Sequence, residues 1–116
     1  MNGLDVLLYM DGNEVHREDG YWYKVNVHQV APTKARPHGL RYNLTLHNRY
    51  GKRVFGIDNA HSIKVGKKYR SRVVYDHQHL TSLDKGTPYE FTDCVDLISY
   101  FFEMIDVVID TLEKTR

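Results

Sequence analysis

The sequence predicts an α+β fold, an antiparallel sheet of about four to six strands packed by one long C-terminal helix. Before residue 92, several short segments alternate apolar and polar side chains, as half-buried strands do, and turn residues separate them. After residue 92, the apolar spacing changes to the 3.6-residue period of an amphipathic helix. With 116 residues, the chain is expected to form a single domain over residues 1–116.

The first strands are predicted from alternation and from the turns between them. The apolar run LDVLLYM is too short to assign to a helix or a strand, GNEVHRE predicts a strand, and residues 21–30, YWYKVNVHQV, predict the next one. Residues 31–39 contain two prolines and a glycine and are expected to form a loop. Residues 40–47 alternate again, and the turn NRYGK followed by RVFGID predicts a hairpin.

The second half predicts a ribbon, one more strand and the helix. NAHSIKVGKKYRS is expected to be a long basic loop or ribbon, and residues 72–79 to be a strand that points Val73, Tyr75, His77 and His79 to one side. Thr92 is the expected N-cap of the helix. Its apolar stripe consists of Val95, Ile98, Phe101, Phe102, Ile105, Val108, Ile109 and Leu112.

The charge is distributed very unevenly along the chain. Residues 34–72 carry eleven basic residues and a single acid, a net charge of +10, although the whole chain carries +1. An acidic helix that neutralises basic strands within the fold is one explanation. A surface that meets phosphate is the other, and it favours a nucleic-acid partner.

Several classes of protein are not expected. No apolar run approaches the length of a membrane helix, and the first residues lack the basic and apolar regions of a signal peptide. Cys94 is the only cysteine, so no internal disulfide can form and a cytoplasmic location is expected. Cys94 itself is expected in the first helical turn as a small core residue. No phosphate-binding loop, dinucleotide fingerprint or His-Glu-x-x-His motif is present.

The segment YDHQH at residues 75–79 is the main candidate for chemistry, and three interpretations are open. His77 and His79 could be two metal ligands, with His61 or an aspartate as the third. They could instead be the general base and general acid of RNA cleavage, a reaction that needs no metal because the 2′-hydroxyl nucleophile belongs to the substrate. They could also simply hydrogen-bond backbone groups at a strand end. His16, His28 and His47 are expected to be ordinary exposed side chains.

Four motifs in order make the chain resemble the TumE-like proteins. They are HGLRYNL (38–44), DNAH (58–61), YDHQH (75–79) and PYEF (88–91), followed by the amphipathic helix. The resemblance covers about residues 20 to 110. It implies a toxin of a type II toxin–antitoxin pair, with a helix-turn-helix antitoxin as partner. A RelE-like shape is an analogy at the level of the fold. The residues that match the family pattern are His38, Gly39, Tyr42, Asp58, Asn59, His61, Asp76, His77 and His79.

The hypothesis from the sequence is a cytoplasmic, metal-independent endoribonuclease toxin that acts on RNA and needs no cofactor. His77 and His79 are the first choices for base and acid, Asp76 or Asp58 orients one imidazole, and His61, His38 and Tyr42 are further candidates. Expected phosphate-binding residues are Arg41, Lys64, Lys67, Lys68, Arg70 and Arg72. The alternatives are a non-enzymatic basic protein that blocks a nucleic-acid or protein target, and a structural partner in an antitoxin complex. Both a homodimer and a hetero-oligomer with the antitoxin are left open.

Overall fold

A computed structural model describes residues 3–59, 63–66, 72–80 and 86–115 of the chain. Two helices are present in this part, α1 (Gly3–Met10) and α2 (Cys94–Lys114). The eight strands are β1 (Glu14–His16), β2 (Trp22–Gln29), β3 (Leu40–His47), β4 (Arg53–Asp58), β5 (Ile63–Val65), β6 (Arg72–Val74), β7 (His77–His79) and β8 (Thr87–Pro88). Neither helix is long and apolar enough to cross a membrane.

Six of the strands form one antiparallel sheet in the order β1-β2-β3-β4-β7-β8, and β5 and β6 form a separate two-stranded sheet. The predicted α+β architecture, with a six-stranded antiparallel sheet and a long C-terminal helix, is therefore confirmed. The short run at the N-terminus forms α1, which contacts α2 and β2.

The hydrophobic core lies between the sheet and α2. Phe101 of α2 stacks against Phe55 of β4 with ring centroids 6.1 Å apart, and Leu97 and Ile105 are buried one turn away on either side. Alternation along β3 therefore turns Tyr42, Leu44 and Leu46 toward α2 and the intervening residues away from it.

The side of the sheet that faces away from α2 is called the polar face below. Paired residues of neighbouring antiparallel strands point to the same side, so the strand register defines its members. They include Glu14, His16, Trp22, Lys24, Asn26, His28, Arg41, Asn43, Thr45, His47, Arg53, Gly56, Asp58, His77 and His79.

The prediction of one strand over residues 72–79 is wrong. The chain bends at Tyr75 and Asp76, so that residues 72–74 belong to the small sheet and residues 77–79 to the large one. The carbonyl of Asp76 accepts a hydrogen bond from the Tyr89 N–H at 3.0 Å, which fixes the bend beside β8. His77 and His79 are therefore not on the same strand as Val73. The prediction that Val73, Tyr75, His77 and His79 share one side of a single strand is wrong.

Two details of the predicted helix are also wrong. The N-cap is Asp93 and not Thr92, because the Asp93 side chain accepts the Asp96 N–H at 2.7 Å. Val95 was expected in the apolar stripe but is 58% exposed, whereas Leu97 is fully buried. Cys94 is the first helical residue, as expected, and burial raises the pKa of its thiol.

Candidate functional site

Asp58 and His77 are partners in the β4–β7 ladder, and their side chains meet on the polar face. Nε2 of His77 is 3.3 Å from Oδ1 of Asp58. His79 is two residues further along β7 and points the same way, so that its Nε2 is 3.4 Å from Oδ2 of Asp58. A single carboxylate thus lies between two imidazoles, whose ring centroids are 4.7 Å apart.

A backbone contact orients the His77 ring. Nδ1 of His77 is 2.7 Å from the carbonyl oxygen of Tyr75, and only a protonated Nδ1 can donate to that oxygen. Nε2 is then the atom that faces Asp58. In the neutral ring Nε2 would direct a lone pair at a carboxylate, so a proton shared between the two atoms makes the arrangement favourable.

The pKa of His77 is shifted in the direction that this contact requires. Burial by itself lowers the pKa, but the hydrogen bonds with Asp58 and the Tyr75 carbonyl, together with the charges of Asp58 and Asp76, raise it above the ordinary value of 6.5. His77 therefore holds an imidazolium more readily than an exposed histidine does.

The three side chains of this cluster differ in their access to solvent. The side chain of His77 is 3% exposed, whereas those of Asp58 and His79 are 12% and 11% exposed. All three residues are buried, with His77 as the inner member and Asp58 and His79 as the more exposed ones.

Gly86 packs directly against the rings of His77 and His79. A Cβ atom at this position would lie 2.8 Å from Cδ2 of His77 and 3.1 Å from Cε1 of His79, and Gly86 has a φ of +109°. Only glycine adopts this conformation without strain and leaves room for both rings. Gly86 was not among the site residues predicted from the sequence.

A second cluster forms on the α2 side of the sheet around Asp76. Its Oδ2 accepts the Tyr42 hydroxyl at 2.6 Å and lies 3.1 Å from Nε2 of His38. Burial and the neighbouring Asp76 carboxylate raise the pKa of Tyr42, so the phenol keeps its proton and donates it. Phe91 packs against the His38 ring with centroids 4.1 Å apart.

Both nitrogens of His38 have defined partners. Nδ1 accepts the backbone N–H of Leu40 at 3.2 Å, so the Nε2–H donates to Asp76 and the ring is neutral. This cluster ties the loop before β3 to the bend before β7. Asp76 and His77 are adjacent in sequence, yet they belong to clusters on opposite faces of the sheet.

Asn59 has a structural role, because its side chain holds the backbone of β3 next to the end of β4. It is fully buried, and its side chain bridges β3 by accepting the Tyr42 N–H at 2.8 Å and donating to the Leu40 carbonyl at 2.7 Å. The guanidinium of Arg36 donates twice to the Asn59 carbonyl, at 3.1 and 2.9 Å, and lies over the Tyr75 ring. These contacts fix the backbone immediately after Asp58.

The structure brings six of the candidates predicted from the sequence together in two clusters. Asp58, His77 and His79 come together in one cluster, and His38, Tyr42 and Asp76 come together in the other. Arg41 is exposed on the polar face. Lys64 lies on β5 and Arg72 on β6 of the small sheet. His61, Lys67, Lys68 and Arg70 lie outside the described residues.

The Asp58, His77 and His79 cluster has donor atoms that suit a metal as well as a proton. Its three ligand atoms lie within 4.8 Å of one another, and imidazole nitrogen with carboxylate oxygen is a common zinc-binding combination. The Tyr75 carbonyl would then be the group that orients the His77 ligand. Metal binding and acid–base chemistry therefore use the same atoms, and an experiment has to separate them.

Comparison with known proteins gives one result. Residues 10–109 match the protein family described as Toxin TumE. Comparisons with curated proteins and with solved structures gave no match. The matched region contains both histidine clusters and most of α2. The chain therefore belongs to the TumE family, the toxins of toxin–antitoxin pairs.

Proposed function

We propose that the toxin is a cytoplasmic endoribonuclease and that Asp58, His77 and His79 are its reactive groups. The observation that carries the proposal is the carboxylate of Asp58 between two imidazoles, at 3.3 and 3.4 Å. The pKa of His77 is raised, which suits an acid, and His79 is the more exposed imidazole, which suits a base.

The proposed reaction needs no group beyond these three. His79 takes the proton of a ribose 2′-hydroxyl, and the 2′-oxygen forms a new bond to the adjacent phosphorus. The bond from phosphorus to the 5′-oxygen breaks, and the leaving oxygen receives the proton shared by His77 and Asp58. The products are a 2′,3′-cyclic phosphate and a 5′-hydroxyl end.

Solvent access supports this division of roles. Asp58 and His79 are the more exposed members and would touch the substrate, while the inner His77 holds the positive charge. One carboxylate and one imidazolium leave the pair of Asp58 and His77 neutral, and His79 is then the imidazole that acts as the base.

The charge distribution supports RNA as the substrate. Residues 34–72 carry a net charge of +10, and Arg41 is exposed on the same face as the cluster. Arginine and lysine side chains that bind the scissile phosphate also stabilise the extra negative charge of the transition state.

The test incubates the purified toxin with RNA and analyses the ends of the fragments. We expect 2′,3′-cyclic phosphate and 5′-hydroxyl ends, and a loss of about 10²- to 10⁴-fold in rate for His77→Ala and for His79→Ala. Gln78→Ala is the matched control, because Gln78 lies between the two histidines but points to α2, where it accepts the Tyr100 hydroxyl. Intact RNA with the folded wild-type protein would leave the non-enzymatic blocking protein as the function.

A chelator separates acid–base chemistry from metal chemistry. We expect cleavage to continue in excess EDTA, because none of the proposed proton transfers needs a cation. Loss of cleavage in EDTA, with recovery on addition of Zn²⁺ or Mn²⁺, would assign the same three side chains as metal ligands instead.

A further inference from the structure

Three aromatic rings form a row on the polar face, at a distance from the proposed reactive groups. His16, Trp22 and His47 are direct partners across β1, β2 and β3. The rings of Trp22 and His47 are stacked with centroids 4.0 Å apart and an angle of 12°, and those of His16 and Trp22 are stacked at 5.4 Å and 19°. β1 is the edge strand, and the side chain of His16 is 65% exposed, so the row is open at that end.

Hydrogen bonds hold the inner rings of this row in place. The Trp22 indole N–H donates to the Asn48 carbonyl at 3.1 Å, and Nε2 of His47 is 2.9 Å from the Thr45 hydroxyl. Burial, followed by the charges of Lys24 and Arg53, lowers the pKa of His47, which favours the neutral ring. A row of rigid, mostly neutral rings is suited to stacking and loses little conformational entropy on binding.

Basic side chains lie beside the row on the same face. Lys24 and Arg41 are exposed, and within the described residues neither forms an ion pair with a carboxylate. Nε of Arg53 is buried without a hydrogen-bond partner, and its side chain lies over Gly56, next to Asp58 along the polar face. Glu14 is the strand partner of Lys24, but its carboxylate lies 3.4 Å from Nε2 of His16, so Lys24 and Arg41 are left to meet phosphate.

A cavity lies beside the Asp58 cluster, level with Asp58 and His77 and extending away from the ring row. It has a volume of about 240 Å³ and is lined by Asn26, His28, Arg41, Tyr42 and Asn43. Asn26 and Asn43 are direct strand partners, so two amide groups lie side by side at its wall. Amides both donate and accept hydrogen bonds, as the edges of nucleobases do.

We infer that the polar face binds single-stranded RNA, with an unpaired base on the His16, Trp22 and His47 row and the backbone running past Lys24 and Arg41 toward Asp58. The inference rests on the proposed function and names its substrate class. His79, Gly56, Thr45 and Lys24 occupy successive strands at one level of the sheet. The ring row is two residues further along, a displacement of about 7 Å along the strands.

A single strand fits this surface better than a duplex. Aromatic rings can stack on a base only when the base is not already inside a helix, and amides can read its pairing edge only when that edge is free. Loops and single-stranded stretches of RNA offer both.

Trp22 is the only tryptophan, so its fluorescence reports directly on the row. The probe is a 2′-O-methyl oligonucleotide of about 12 nucleotides, which lacks the 2′-hydroxyl and cannot be cleaved by the proposed reaction. We expect the single strand to bind and to change the Trp22 emission, and the same strand in a duplex with its complement to do so much more weakly.

Variants divide the surface into stacking and phosphate contacts. Trp22→Leu should weaken binding by about 5- to 150-fold, the effect of losing one stacked base, and His16→Ala should weaken it less. Lys24→Gln should reduce the slope of log affinity against log salt by about 0.7. Tyr9→Ala and Lys114→Gln are the controls, because both residues are exposed on helices and lie off the polar face.

The outcomes distinguish this inference from the proposed function. Binding that matches these expectations, with no cleavage of ordinary RNA, supports the surface and contradicts only the nuclease. Equal binding of single strand and duplex, or unchanged affinity in His16→Ala, Trp22→Leu and Lys24→Gln, overturns the inference. It is also overturned if these variants lose the antitoxin and keep the oligonucleotide, because the face then belongs to the antitoxin.

Discussion

Nε2 of His77 on β7 lies 3.3 Å from Oδ1 of Asp58 on β4, and the two residues are direct partners in the sheet. The register of two strands therefore sets this distance, and no flexible loop is involved. A site on paired strands keeps its geometry better than a site on loops. The contact also links the protonation of His77 to folding, which can be measured.

The first prediction concerns stability and pH. The pKa of His77 is higher in the folded protein than its unfolded value of 6.5, so the stabilisation is fully present below pH 6.5 and is lost as the pH rises through the folded pKa. In Asp58→Asn the folded pKa of His77 should be lower, so the loss should end at a lower pH and be smaller. Chemical denaturation of the wild-type protein and of Asp58→Asn over a pH series measures the free energy of unfolding at each pH. Identical dependence on pH in the two proteins would contradict the proposed coupling.

The second prediction concerns Gly86. Gly86→Ala adds strain at a φ of +109° and a contact of 2.8 Å with the His77 ring, so both imidazoles should shift and RNA cleavage should fall at least tenfold. Gly51→Ala is the matched control, since Gly51 has a φ of +82° but no heavy atom within 4 Å of the added Cβ. The control should lose about 1–2 kcal/mol of stability, the cost of a left-handed conformation for alanine, and keep its activity. The cleavage rates and denaturation curves of the two variants test this prediction. Equal cleavage rates in both variants would show that the contact between residue 86 and the His77 ring is not needed for activity.

The third prediction concerns the cluster around Asp76. Tyr42→Phe removes a 2.6 Å hydrogen bond to a carboxylate that is 14% exposed, and the free energy of unfolding should fall by about 1.5–3 kcal/mol. Because Tyr42 lies on the α2 side, the cleavage rate at a temperature where the variant is fully folded should change little. A loss of cleavage as large as that of His79→Ala would instead place Tyr42 among the reactive groups.

The fourth prediction concerns salt. With a net charge of +10 over residues 34–72, affinity for RNA should fall steeply as salt rises, through release of counterions. Neutralising Lys67, Lys68, Arg70 and Arg72 together should flatten this dependence by about 0.7 in slope for each lost phosphate contact. Filter-binding or fluorescence titrations at several salt concentrations provide the slopes. An affinity that is the same at low and moderate salt is incompatible with a phosphate-binding surface.

The fifth prediction concerns the antitoxin. Glu103, Asp106 and Asp110 are exposed on α2, on the opposite side of the sheet from the basic residues of the polar face. We therefore expect the antitoxin to neutralise the toxin by covering the polar face with its own acidic residues or by adding a segment along an exposed strand. The purified complex should not bind the 2′-O-methyl oligonucleotide. A complex that binds it as tightly as the free toxin would show that neutralisation does not work by masking.

The sequence was sufficient for the architecture because the fold depends on periodicity. Alternation along residues 40–47 and the apolar spacing after residue 94 reflect which side chains face the core. The break of the predicted strand at Tyr75 and Asp76 was not visible, because it depends on contacts with His38, Tyr42 and Tyr89, which are distant in sequence. The propensity of a segment to form a strand depends on neighbouring residues and does not include contacts with residues that are distant in sequence.

The candidate site was only partly predictable for the same reason. The order of residues in YDHQH shows that Asp76 and His77 point opposite ways on a strand, and Asp58 was therefore an alternative partner. The pairing of β4 with β7 brings Asp58 to both histidines, but strand order in a sheet cannot be derived from either segment alone. Gly86 and the row of His16, Trp22 and His47 were missed because each residue looks ordinary until the strands are placed side by side.

The separate sheet of β5 and β6 has a consequence for how this protein can vary. The chain leaves the large sheet after Asp58 and rejoins it at His77, and the strands described between these residues, β5 and β6, belong to the small sheet. We expect insertions or deletions between β5 and β6 to leave the β4–β7 register unchanged, because these strands pair only with each other. A single residue added to or removed from the bend at residues 75–76 would reverse the facing of His77 and His79. We therefore expect this chain to tolerate a change in length between β5 and β6 better than a change in length at the two-residue bend.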